Sequence, residues 1–492
     1  MALPTVLYSA AQVRALDAYA IETLGVPGYT LMKRAGESAL RFLRSRWPTA
    51  YRIVIVCGSG NNGGDGYVLA RFAQAAGLTV SVLMATPRGE LKGDARQAHD
   101  DFAASGGRMN PFSASLLGEG EVIVDALLGT GLRNAVRDEL VPVIQAINAA
   151  GRPVFVLDVP SGLDSDRGIA LGEAVRADCT VTFVGLKTGL FIGDGPEYSG
   201  NIYCDDLEVT APRSAQFTPR LERILDAEII RALPRRARGA HKGDFGRVLI
   251  VGSGVGMPGA VRLAGEACLR VGAGLVTVAV APDNVAAIAS GRPELICQPL
   301  EEPGELGEAI ERAGVIAIGP GLGRSAWARG ALDAVLASDK PLVVDADALN
   351  LIAEVAPVPR DNWILTPHPG EAGRLLAVHT EDIQRDRLAA LSQLVERYGG
   401  TVVLKGAGTL VGTAGLTPGV CERGNPGMAS AGMGDVLTGA IAGILAQCKD
   451  PRLAARVGVL VHAMAGDAVA RTGERGLLAS DVTRELRTCV NL

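Results

Sequence analysis

The most distinctive segment of the N-terminal half is the run GSGNNGGDG at positions 58–66, which follows an apolar stretch and precedes a helical pattern. Glycines after a parallel strand let backbone N–H groups approach an anion, and the start of a helix adds positive partial charge. The turn suits a phosphate-bearing ligand, although its spacing is not GxGxxG and a glycine-rich turn can be purely structural. Asn61, Asn62 and Asp65 add polarity that a plain turn does not require.

Two further acidic residues follow strand-like runs in this half, Asp125 in DALLGTGLRN and Asp158 in DVPSGLD. Because parallel strands present their carboxyl ends at one edge of a sheet, we expect both carboxylates to converge on the glycine turn. Either aspartate could instead cap a helix or stabilise a turn. Together with the asparagines they supply oxygen ligands for a cation and one carboxylate for proton transfer.

The C-terminal half carries GNPGMASAGMGD at positions 424–435, directly before an apolar helical pattern. The backbone N–H groups of Gly432 and Gly434 would face the charge that develops on a transferring phosphoryl group. Asp435 would take a proton from the attacking hydroxyl, unless it serves only as a helix cap.

Four more segments of this half follow strand-like runs. Lys405-Gly-Ala-Gly-Thr409 can reach a nucleotide, although a lysine at a strand end is often a solvated surface charge. His368 lies between two prolines in a rigid turn, where a structural role is also open. Gly252–Gly256 and Gly319–Gly323 are glycine turns. So many turns of this kind in one half favour a nucleotide or another phosphorylated ligand.

These segments require two sheets to position them. Ser9 and Gln12 predict a capping box and an opening helix. From Arg52 onward, short β-branched runs alternate with helical patterns, and the alternation resumes near residue 247 after a proline-containing, basic stretch around Arg235. We predict an α/β fold with two domains, 1–217 and 218–492, each a mainly parallel sheet flanked by helices. The basic stretch is expected to be solvated surface.

Composition restricts the classes of function. A chain of 492 residues exceeds the size of one hydrophobic core, which also favours two domains. The net charge of -5 provides no basic field for nucleic acid. The eight cysteines are scattered, which predicts reduced thiols. The N-terminus has no leader pattern and no apolar run reaches the ~18 residues of a membrane span. We expect a soluble, cytoplasmic protein without membrane partners.

Through NNGGDG, DALLGTG and DVPSGLD, in this order, roughly residues 1 to 215 resemble the NAD(P)H-hydrate epimerase family. The resemblance implies a Rossmann-like domain that interconverts the R and S forms of hydrated NADH and NADPH. It implies a potassium ion held by Asn62, Asp125 and Ser161, and we assign Asp158 as the catalytic acid/base beside the hydrated ring. The residues implied to bind the hydrated cofactor are Asn61, Asn62, Gly63, Gly64, Asp65, Gly129, Thr130, Gly131, Leu132, Arg133, Asn134, Ala135 and Asp158.

Roughly residues 225 to 492 resemble the ADP-dependent NAD(P)H-hydrate dehydratases, a branch of the ribokinase-like superfamily. The resemblance implies that ADP phosphorylates the C6 hydroxyl of the S form, with magnesium neutralising the phosphates and Asp435 as the catalytic base. Loss of phosphate then restores NADH or NADPH and leaves AMP. The residues implied to contact the hydrated cofactor are Ala260, Gly321, Gly323, His368 and Asp435. Those implied to contact the adenine nucleotide are Lys405, Gly406, Ala407, Gly408, Thr409 and Gly434.

The C-terminal half departs from that family in two segments, the turn at Met257 and the motif GGTGD, which appears here as Ala431-Gly-Met-Gly-Asp435. Met257 stands where the family has a tyrosine, and Met433 replaces the threonine of its GGTGD motif, so this position donates no hydroxyl hydrogen bond. We expect lower activity or an altered preference between ADP and ATP. Two alternatives remain open: the C-terminal half is a sugar or vitamin kinase, or the chain is a non-catalytic nucleotide sensor. We also expect a homo-oligomer.

Overall fold

The computed structural model describes residues 3–86, 88–212 and 214–492. The chain divides into two compact units, Met1–Glu222 and Arg223–Leu492. The division falls five residues after the predicted boundary between residues 217 and 218. Each unit is a sheet flanked by helices, so the predicted fold class is confirmed.

The first unit is built on a parallel sheet with helices on both faces. Its strands up to the boundary are β1 (Val6–Tyr8), β2 (Arg52–Cys57), β3 (Thr79–Met84), β4 (Arg108–Pro111), β5 (Val122–Ala126), β6 (Val154–Leu157), β7 (Cys179–Phe183), β8 (Leu186–Lys187), β9 (Asn201–Asp205) and β10 (Leu221–Arg223). The sheet runs in the order β4-β3-β2-β5-β6-β7-β9, with parallel neighbours throughout. β1 pairs in parallel with β8 and antiparallel with β10.

The helices of this unit are α1 (Ala10–Glu22), α2 (Gly28–Arg46), α3 (Asn61–Ala75), α4 (Gly93–Ala104), α5 (Val141–Ala149) and α6 (Gly195–Ser199). Alternate residues of β2 enter different cores, Ile53 and Ile55 on one face and Val54 and Val56 on the other. Burial on both faces explains why this strand has a continuous apolar sequence. The predicted capping box is confirmed, since Ser9 Oγ accepts from the N–H of Gln12 at 3.2 Å.

The second unit contains a larger, mixed sheet. Its strands are β11 (Arg247–Val251), β12 (Leu275–Val280), β13 (Ile296–Pro299), β14 (Val315–Ile318), β15 (Leu342–Val344), β16 (Trp363–Leu365), β17 (Thr401–Leu404), β18 (Thr409–Thr413) and β19 (Gly419–Cys421). They run in the order β13-β12-β11-β14-β15-β16-β17-β18-β19. Neighbours are parallel from β13 to β17, and β18 and β19 are added antiparallel.

Helices again cover the sheet. They are α7 (Ala227–Ala232), α8 (Pro258–Arg270), α9 (Val285–Gly291), α10 (Gly307–Arg312), α11 (Ala326–Leu336), α12 (Ala346–Ile352), α13 (Pro369–Leu376), α14 (Thr380–Arg385), α15 (Arg387–Tyr398), α16 (Met433–Cys448), α17 (Pro451–Ala470) and α18 (Ala479–Cys489). The expectation that no apolar run is long enough for a membrane span is wrong for α17, which could cross a membrane by length and composition, but 72% of its apolar window is buried inside the protein. It is a core helix that packs against α16 and α18.

The basic stretch before β11 lies on the surface, as predicted, since Arg235, Arg236 and Arg238 are exposed. Arg236 donates to the carbonyl of Gly272 at 2.5 Å and to Gln447 Oε1 at 2.9 Å. Its guanidinium carbon also lies 3.6 Å from the centre of the Phe245 ring, within cation–π range. This arginine therefore fastens the stretch to the segments that follow α8 and end α16, a structural role that the sequence did not indicate.

Candidate active sites

The first site lies where the strand order of the first sheet reverses, between β2 and β5. Ligands of doubly wound sheets bind in the crevice that such a reversal opens at the carboxyl ends of the strands. Gly58–Gly60 follows β2, Asp125 lies near the end of β5, and Asp158 directly follows β6. The sequence prediction that these segments share one edge is therefore correct.

Three polar side chains meet beneath this edge. Asp125 is fully buried and accepts from Ser161 Oγ at 2.7 Å, from the Ser161 N–H at 2.9 Å and from the Leu127 N–H at 3.1 Å. Asn62 donates through Nδ2 to the carbonyl of Leu128 at 2.8 Å, and Ser161 Oγ also contacts that carbonyl. Burial raises the pKa of Asp125 to about 6, although the hydrogen bonds from Ser161 and Leu127 act to lower it.

The oxygen of the Asn62 side chain is the atom that points to a ligand here. Asn62 Oδ1 is buried and has no hydrogen-bond partner among the described residues. Buried polar atoms are nearly always satisfied, so an orphaned acceptor is compatible with a bound cation, and Asn62 and Ser161 are linked through the carbonyl of Leu128 that both contact. The oxygen-rich set formed with Asp125 and Ser161 fits the predicted potassium ion, because hard cations prefer oxygen ligands.

Gly129 connects this cluster to Asp158. A methyl group at Gly129 would lie 3.3 Å from Asn62 Cβ and 3.5 Å from Asp158 Oδ2. Three of the predicted site residues therefore come together, since Gly129 lies between the side chains of Asn62 and Asp158. The rest of the predicted loop behaves differently: Gly131, Arg133, Asn134 and Ala135 are exposed, and Leu132 is half-buried. Thr130 is held through its carbonyl, which accepts from Arg14 at 2.9 Å.

Asp158 is paired with a lysine that sequence analysis missed. Lys187 in β8 is 1% exposed, and its ammonium donates to Asp158 Oδ1, to Thr182 Oγ1 at 2.8 Å and to the carbonyl of Phe183 at 2.7 Å. These contacts use all three N–H donors of the ammonium. Asp158 adopts a φ of 68°, a left-handed conformation that is unusual for aspartate and often marks a functional position. It caps no helix, so that alternative is wrong.

Two more carboxyl groups surround this ion pair. Burial raises the pKa of Asp17 in α1 to about 6, with Lys187 opposing the shift and Asp158 adding to it. Burial, followed by the charges of Asp158 and Asp17, raises the pKa of Asp65 well above its usual value. The site thus gathers three acids around one ammonium, and burial favours the protonated forms of Asp17 and Asp65.

The glycines of NNGGDG have a packing role. The sequence analysis considered them mainly as part of a ligand-binding turn. α3 begins at Asn61, whereas the sequence pattern placed its start at Tyr67, so Gly63 and Gly64 lie in its first turn. A methyl group at Gly63 would lie 2.1 Å from the carbonyl oxygen of Gly58, and one at Gly64 would lie 2.5 Å from Met32 Cε. Both glycines are buried, while Asn61 is exposed. They allow α3 to pack closely and to direct its first N–H groups to the crevice.

The second site lies at the corresponding reversal between β11 and β14 in the other sheet. A methyl group at Gly321 would lie 3.1 Å from Ala260 Cβ and 3.2 Å from Met257 Cβ. The glycine turn after β14 therefore touches the start of α8, and the predicted Ala260 and Gly321 are neighbours. Gly323 donates its N–H to Asp347 Oδ2 at 2.8 Å. Met257 is 41% exposed beside these residues.

Asp345 organises the centre of this site, and sequence analysis did not assign it a role. It is 1% exposed and follows β15. Its Oδ1 accepts from Lys405 Nζ and from Thr366 Oγ1, each at 2.8 Å, and its Oδ2 accepts from Thr438 Oγ1 at 2.8 Å. Lys405 Nζ also lies 3.8 Å from Glu371 Oε2. Burial acts to lower the pKa of Lys405, but Asp345 and Glu371 outweigh it and the pKa is raised. The surface alternative for Lys405 is therefore wrong.

Asp435 is the third residue of α16, which begins after Gly432. Gly432, not Asp435, occupies the cap position with a φ of 87°, so the cap alternative is wrong. A methyl group at Gly434 would lie 3.5 Å from both Asp345 Oδ2 and Lys405 Nζ, which places the helix N-terminus at the ion pair. Burial, together with the charge of Asp345, raises the pKa of Asp435 to about 7, while Lys405 opposes the shift. Asp435 can therefore gain or lose a proton near neutrality.

His368 caps a helix through one ring nitrogen and lies near a carboxylate with the other. It caps α13, and its Nδ1 accepts from the N–H of Gly370 at 3.0 Å. Nδ1 is then the acceptor, so the neutral ring carries its proton on Nε2. Its side chain is 51% exposed, with Nε2 lying 3.5 Å from Glu371 Oε1. Burial lowers the pKa of His368, with Glu371 opposing the change. The structural role that the sequence left open is therefore correct.

The predicted nucleotide loop connects β17 to β18. Gly406 and Gly408 have φ values of 136° and 61°, conformations that favour glycine, and Thr409 Oγ1 donates to the carbonyl of Gly406 at 2.8 Å. Gly406 and Ala407 are exposed. The loop begins at Lys405, so it is attached to the ion pair beside α16.

Comparison with known proteins agrees with this division of the chain. Residues 248–488 match the family described as NAD(P)H-hydrate dehydratase, and residues 28–189 match the YjeF-related protein N-terminus. The bifunctional NAD(P)H-hydrate repair enzyme Nnr of Coxiella burnetii is 49% identical over 490 residues, covering 99% of this chain and 100% of the relative. The chain belongs to this family of bifunctional repair enzymes.

Other relatives extend the same result. The repair enzyme Nnr of Escherichia coli is 41% identical over 492 residues, covering 100% of this chain and 95% of the relative. A crystal structure of a ribokinase-like superfamily protein from Enterococcus faecalis is 33% identical with a TM-score of 0.51, covering 55% of this chain and 95% of that chain. Both resemblances inferred from sequence motifs, and the ribokinase-like fold of the second unit, are confirmed.

Proposed function

We propose that this chain repairs hydrated NADH and NADPH in two steps. The first unit interconverts the R and S forms, and the second unit dehydrates the S form with ADP, giving AMP and phosphate. The observation that carries the proposal is Asp435, whose pKa is raised to about 7 at a helix N-terminus beside Lys405. A base that titrates near neutral pH, next to an ammonium and free backbone N–H groups, suits phosphoryl transfer from a nucleotide to a hydroxyl.

In the first unit, Asp158 would act on the C6 hydroxyl of the hydrated ring. Its Oδ1 is fixed by Lys187, while its Oδ2 has no hydrogen-bond partner among the described residues and lies on the side of Gly129. The free oxygen would accept the hydroxyl proton as the C6–N1 bond breaks, which leaves the electron pair on N1 and makes C6 an aldehyde carbon. It would return the proton to the oxygen when N1 closes on the other face of C6, which changes the configuration. The first turn of α3 would hold the diphosphate through Asn61 to Asp65, and Gly129 to Ala135 would line the other side. Asn62, Asp125 and Ser161 would hold a potassium ion, which supplies positive charge beside the anionic cofactor.

In the second unit, Asp435 would remove the proton of the C6 hydroxyl as its oxygen attacks the β-phosphorus of ADP. The bond from that phosphorus to the bridging oxygen breaks, and AMP leaves. The phosphate ester at C6 then departs and C5 loses a proton, which restores the dihydronicotinamide ring. Lys405 and the N–H groups of Met433 and Gly434 would stabilise the transferring phosphoryl group. Magnesium, bound with ADP, supplies neutralising charge on the phosphates.

Substrate contacts in this unit would come from the two glycine turns and α13. Ala260, Gly321 and Gly323 would face the hydrated cofactor, and His368 would donate through Nε2. The loop Lys405–Thr409 and Gly434 would bind the adenine nucleotide. The side chain of Met433 is 7% exposed and belongs to the hydrophobic core, so this residue would contribute only its N–H to the anion site. Met257 remains exposed at the mouth of the site, where we expect it to influence the choice between ADP and ATP.

The decisive experiment incubates the purified protein with mixed R and S hydrates, with and without ADP. We expect ADP-dependent recovery of absorbance near 340 nm together with AMP and phosphate, and loss of both hydrates. A small-molecule kinase would retain the phosphate on its product and leave the absorbance unchanged. A nucleotide sensor would be stabilised by ADP against heat but would not consume the hydrates.

We further propose that the protein acts in the cytoplasm as a homo-oligomer, with hydrated NADH, hydrated NADPH and ADP as its ligands and without nucleic-acid or membrane partners. The net charge of -5 supports the absence of nucleic-acid partners, since it repels polyanions. The burial of most of α17 supports the absence of membrane partners. Analytical ultracentrifugation of the purified protein and fractionation of cells test the assembly state and the location.

A further inference from the structure

Arg387 is an unusual residue behind the proposed nucleotide loop. It opens α15, is 1% exposed and is among the largest fully buried side chains of the protein. A guanidinium is costly to bury, and buried arginines are normally paired with carboxylates. Within residues 3–86, 88–212 and 214–492, no carboxylate forms an ion pair with Arg387.

Its hydrogen bonds go instead to the chain that leads into the loop. Nη2 donates to the carbonyls of Leu404 and Lys405, each at 3.2 Å, and Nη1 donates to Gln384 Oε1 at 2.8 Å. Nε is buried and has no partner among the described residues. The planar group therefore bridges two successive carbonyls at the point where β17 ends.

Gly406 packs directly on this guanidinium. Its φ is 136°, and a methyl group added to it would lie 2.9 Å from Arg387 Nη1. The backbone turns over the arginine here, and any side chain at position 406 would displace it. The backbone conformation of Lys405 and Gly406 thus depends on Arg387, while Asp345 fixes the ammonium of Lys405.

We propose that Arg387 is a positioning residue for the adenine-nucleotide loop. It holds residues 404–406 in the conformation that presents Lys405 and the following N–H groups to the diphosphate. This inference rests on the proposed nucleotide site. The uncompensated positive charge also favours the approach of a polyanion from the exposed side of the loop. Burial lowers the pKa of Arg387 to about 10, so the side chain is still charged at neutral pH.

The test compares Arg387→Met with the unchanged chain by following ADP-dependent recovery of absorbance at 340 nm. We expect the KM for ADP to rise at least about tenfold while the KM for hydrated NADH stays within about twofold, because the loop contacts only the nucleotide. The shift in Tm that ADP produces should shrink in parallel. An unchanged KM for ADP, or an equal rise in both KM values, would overturn the inference.

Three further variants keep the test informative. Arg387→Lys retains the charge and should recover part of the ADP affinity, and no recovery would count against positioning by a cation. Gln384→Leu alters an exposed residue but removes the Nη1 anchor, so it should raise the KM for ADP even where Arg387→Met does not fold. Tyr398→Phe removes a buried hydrogen bond from the same helix to Leu375 and should lower Tm without separating the two KM values.

The proposed function can fail independently of this inference. Absence of ADP-dependent recovery in the unchanged chain would refute the proposed dehydration. The ADP-induced shift in Tm then still reports whether Arg387 supports the nucleotide loop, because that readout requires binding and no turnover.

Discussion

Lys187 and Asp158 form a buried ion pair at the carboxyl edge of the first sheet, in which the ammonium is saturated and the carboxylate is not. Lys187 Nζ has three acceptors, Asp158 Oδ1, Thr182 Oγ1 and the carbonyl of Phe183. The lysine therefore has no N–H left for a substrate, and its role is to orient Asp158. The second oxygen of Asp158 is the atom left to react.

Replacing Asp158 with asparagine should abolish most of the epimerisation. The amide keeps the size of the side chain but cannot accept a proton, so we expect the interconversion of R and S hydrates to slow by about 10²- to 10⁴-fold. Chromatographic separation of the two forms over time measures this rate. ADP-dependent dehydration of purified S hydrate by the same protein serves as the control and should be retained. Near-normal interconversion would remove Asp158 from the mechanism.

Replacing Lys187 with methionine should destabilise the first unit and misorient Asp158. Removal of one partner from a buried ion pair typically costs about 3–5 kcal/mol, because the other charge stays behind. We expect a lower free energy of unfolding in urea, together with slower epimerisation. Lys92→Met is the matched control, since Lys92 is exposed and should shift stability by no more than about 0.5 kcal/mol. Equal effects of the two substitutions would contradict the assigned role of Lys187.

The sequence predicted those features that depend on local pattern. Continuous apolar runs identified β2, β5 and β6, since strands buried on both faces carry no alternation. β13 was missed because ICQP is short, half-polar and partly exposed. Lys187 and Asp345 were missed for another reason: their partners lie 29 and 60 residues away, and only the folded sheet brings them together. The start of α3 was misplaced because glycines normally weaken helices, and here close packing overrides that preference.

The dehydration step should depend on the ionisation of Asp435. Its pKa is raised to about 7, so the carboxylate required as base is progressively lost below that pH. We expect kcat/KM for dehydration to level off above pH 7 and to fall about tenfold per pH unit well below it. Asp435→Asn should lose this profile along with nearly all activity. A rate that stays constant from pH 5 to pH 8 would refute Asp435 as the base.

The raised pKa of Asp435 also predicts how the stability of the fold changes with pH. The folded protein binds the Asp435 proton more tightly than the unfolded chain, so this group stabilises the fold fully below its usual pKa of 3.8 and loses that contribution as pH rises through about 7. The Tm of Asp435→Asn should therefore match that of the unchanged chain near pH 4 and exceed it above pH 7. Asp333→Asn, at an exposed position, provides the control and should show no such crossover. A Tm difference that does not vary with pH would contradict the burial of Asp435.

Epimerisation should require a monovalent cation that fits beside Asn62. Exchange of potassium for tetramethylammonium at constant ionic strength should slow the interconversion at least about tenfold, because the larger ion cannot enter among buried oxygen atoms. Asn62→Ala removes the orphaned Oδ1 and should make the residual rate insensitive to the exchange. The Tm of the first unit should rise with potassium only in the unchanged chain. Equal rates in both salts would argue against a bound cation.

Two glycines of the first site should respond very differently to alanine. A methyl group at Gly63 would overlap the carbonyl of Gly58 at 2.1 Å, whereas one at Gly131 meets nothing within 4 Å. We expect Gly63→Ala to lower the free energy of unfolding by about 1–3 kcal/mol and Gly131→Ala to leave it nearly unchanged. Urea unfolding monitored by circular dichroism measures both. Similar losses would mean that the contact between α3 and the preceding turn is looser than described.

The orientation of the Asn62 amide determines the valence that the first site can accommodate. Because Nδ2 donates to the carbonyl of Leu128, the buried oxygen is the atom left for a ligand, and it brings a dipole without a formal charge. Asp125 is then the sole anionic group of the three proposed ligands, and one negative charge balances an alkali-metal ion. An aspartate at position 62 would double that charge and shift the preference towards calcium. The amide nitrogen of Asn62 thus determines whether the site prefers a monovalent or a divalent ion.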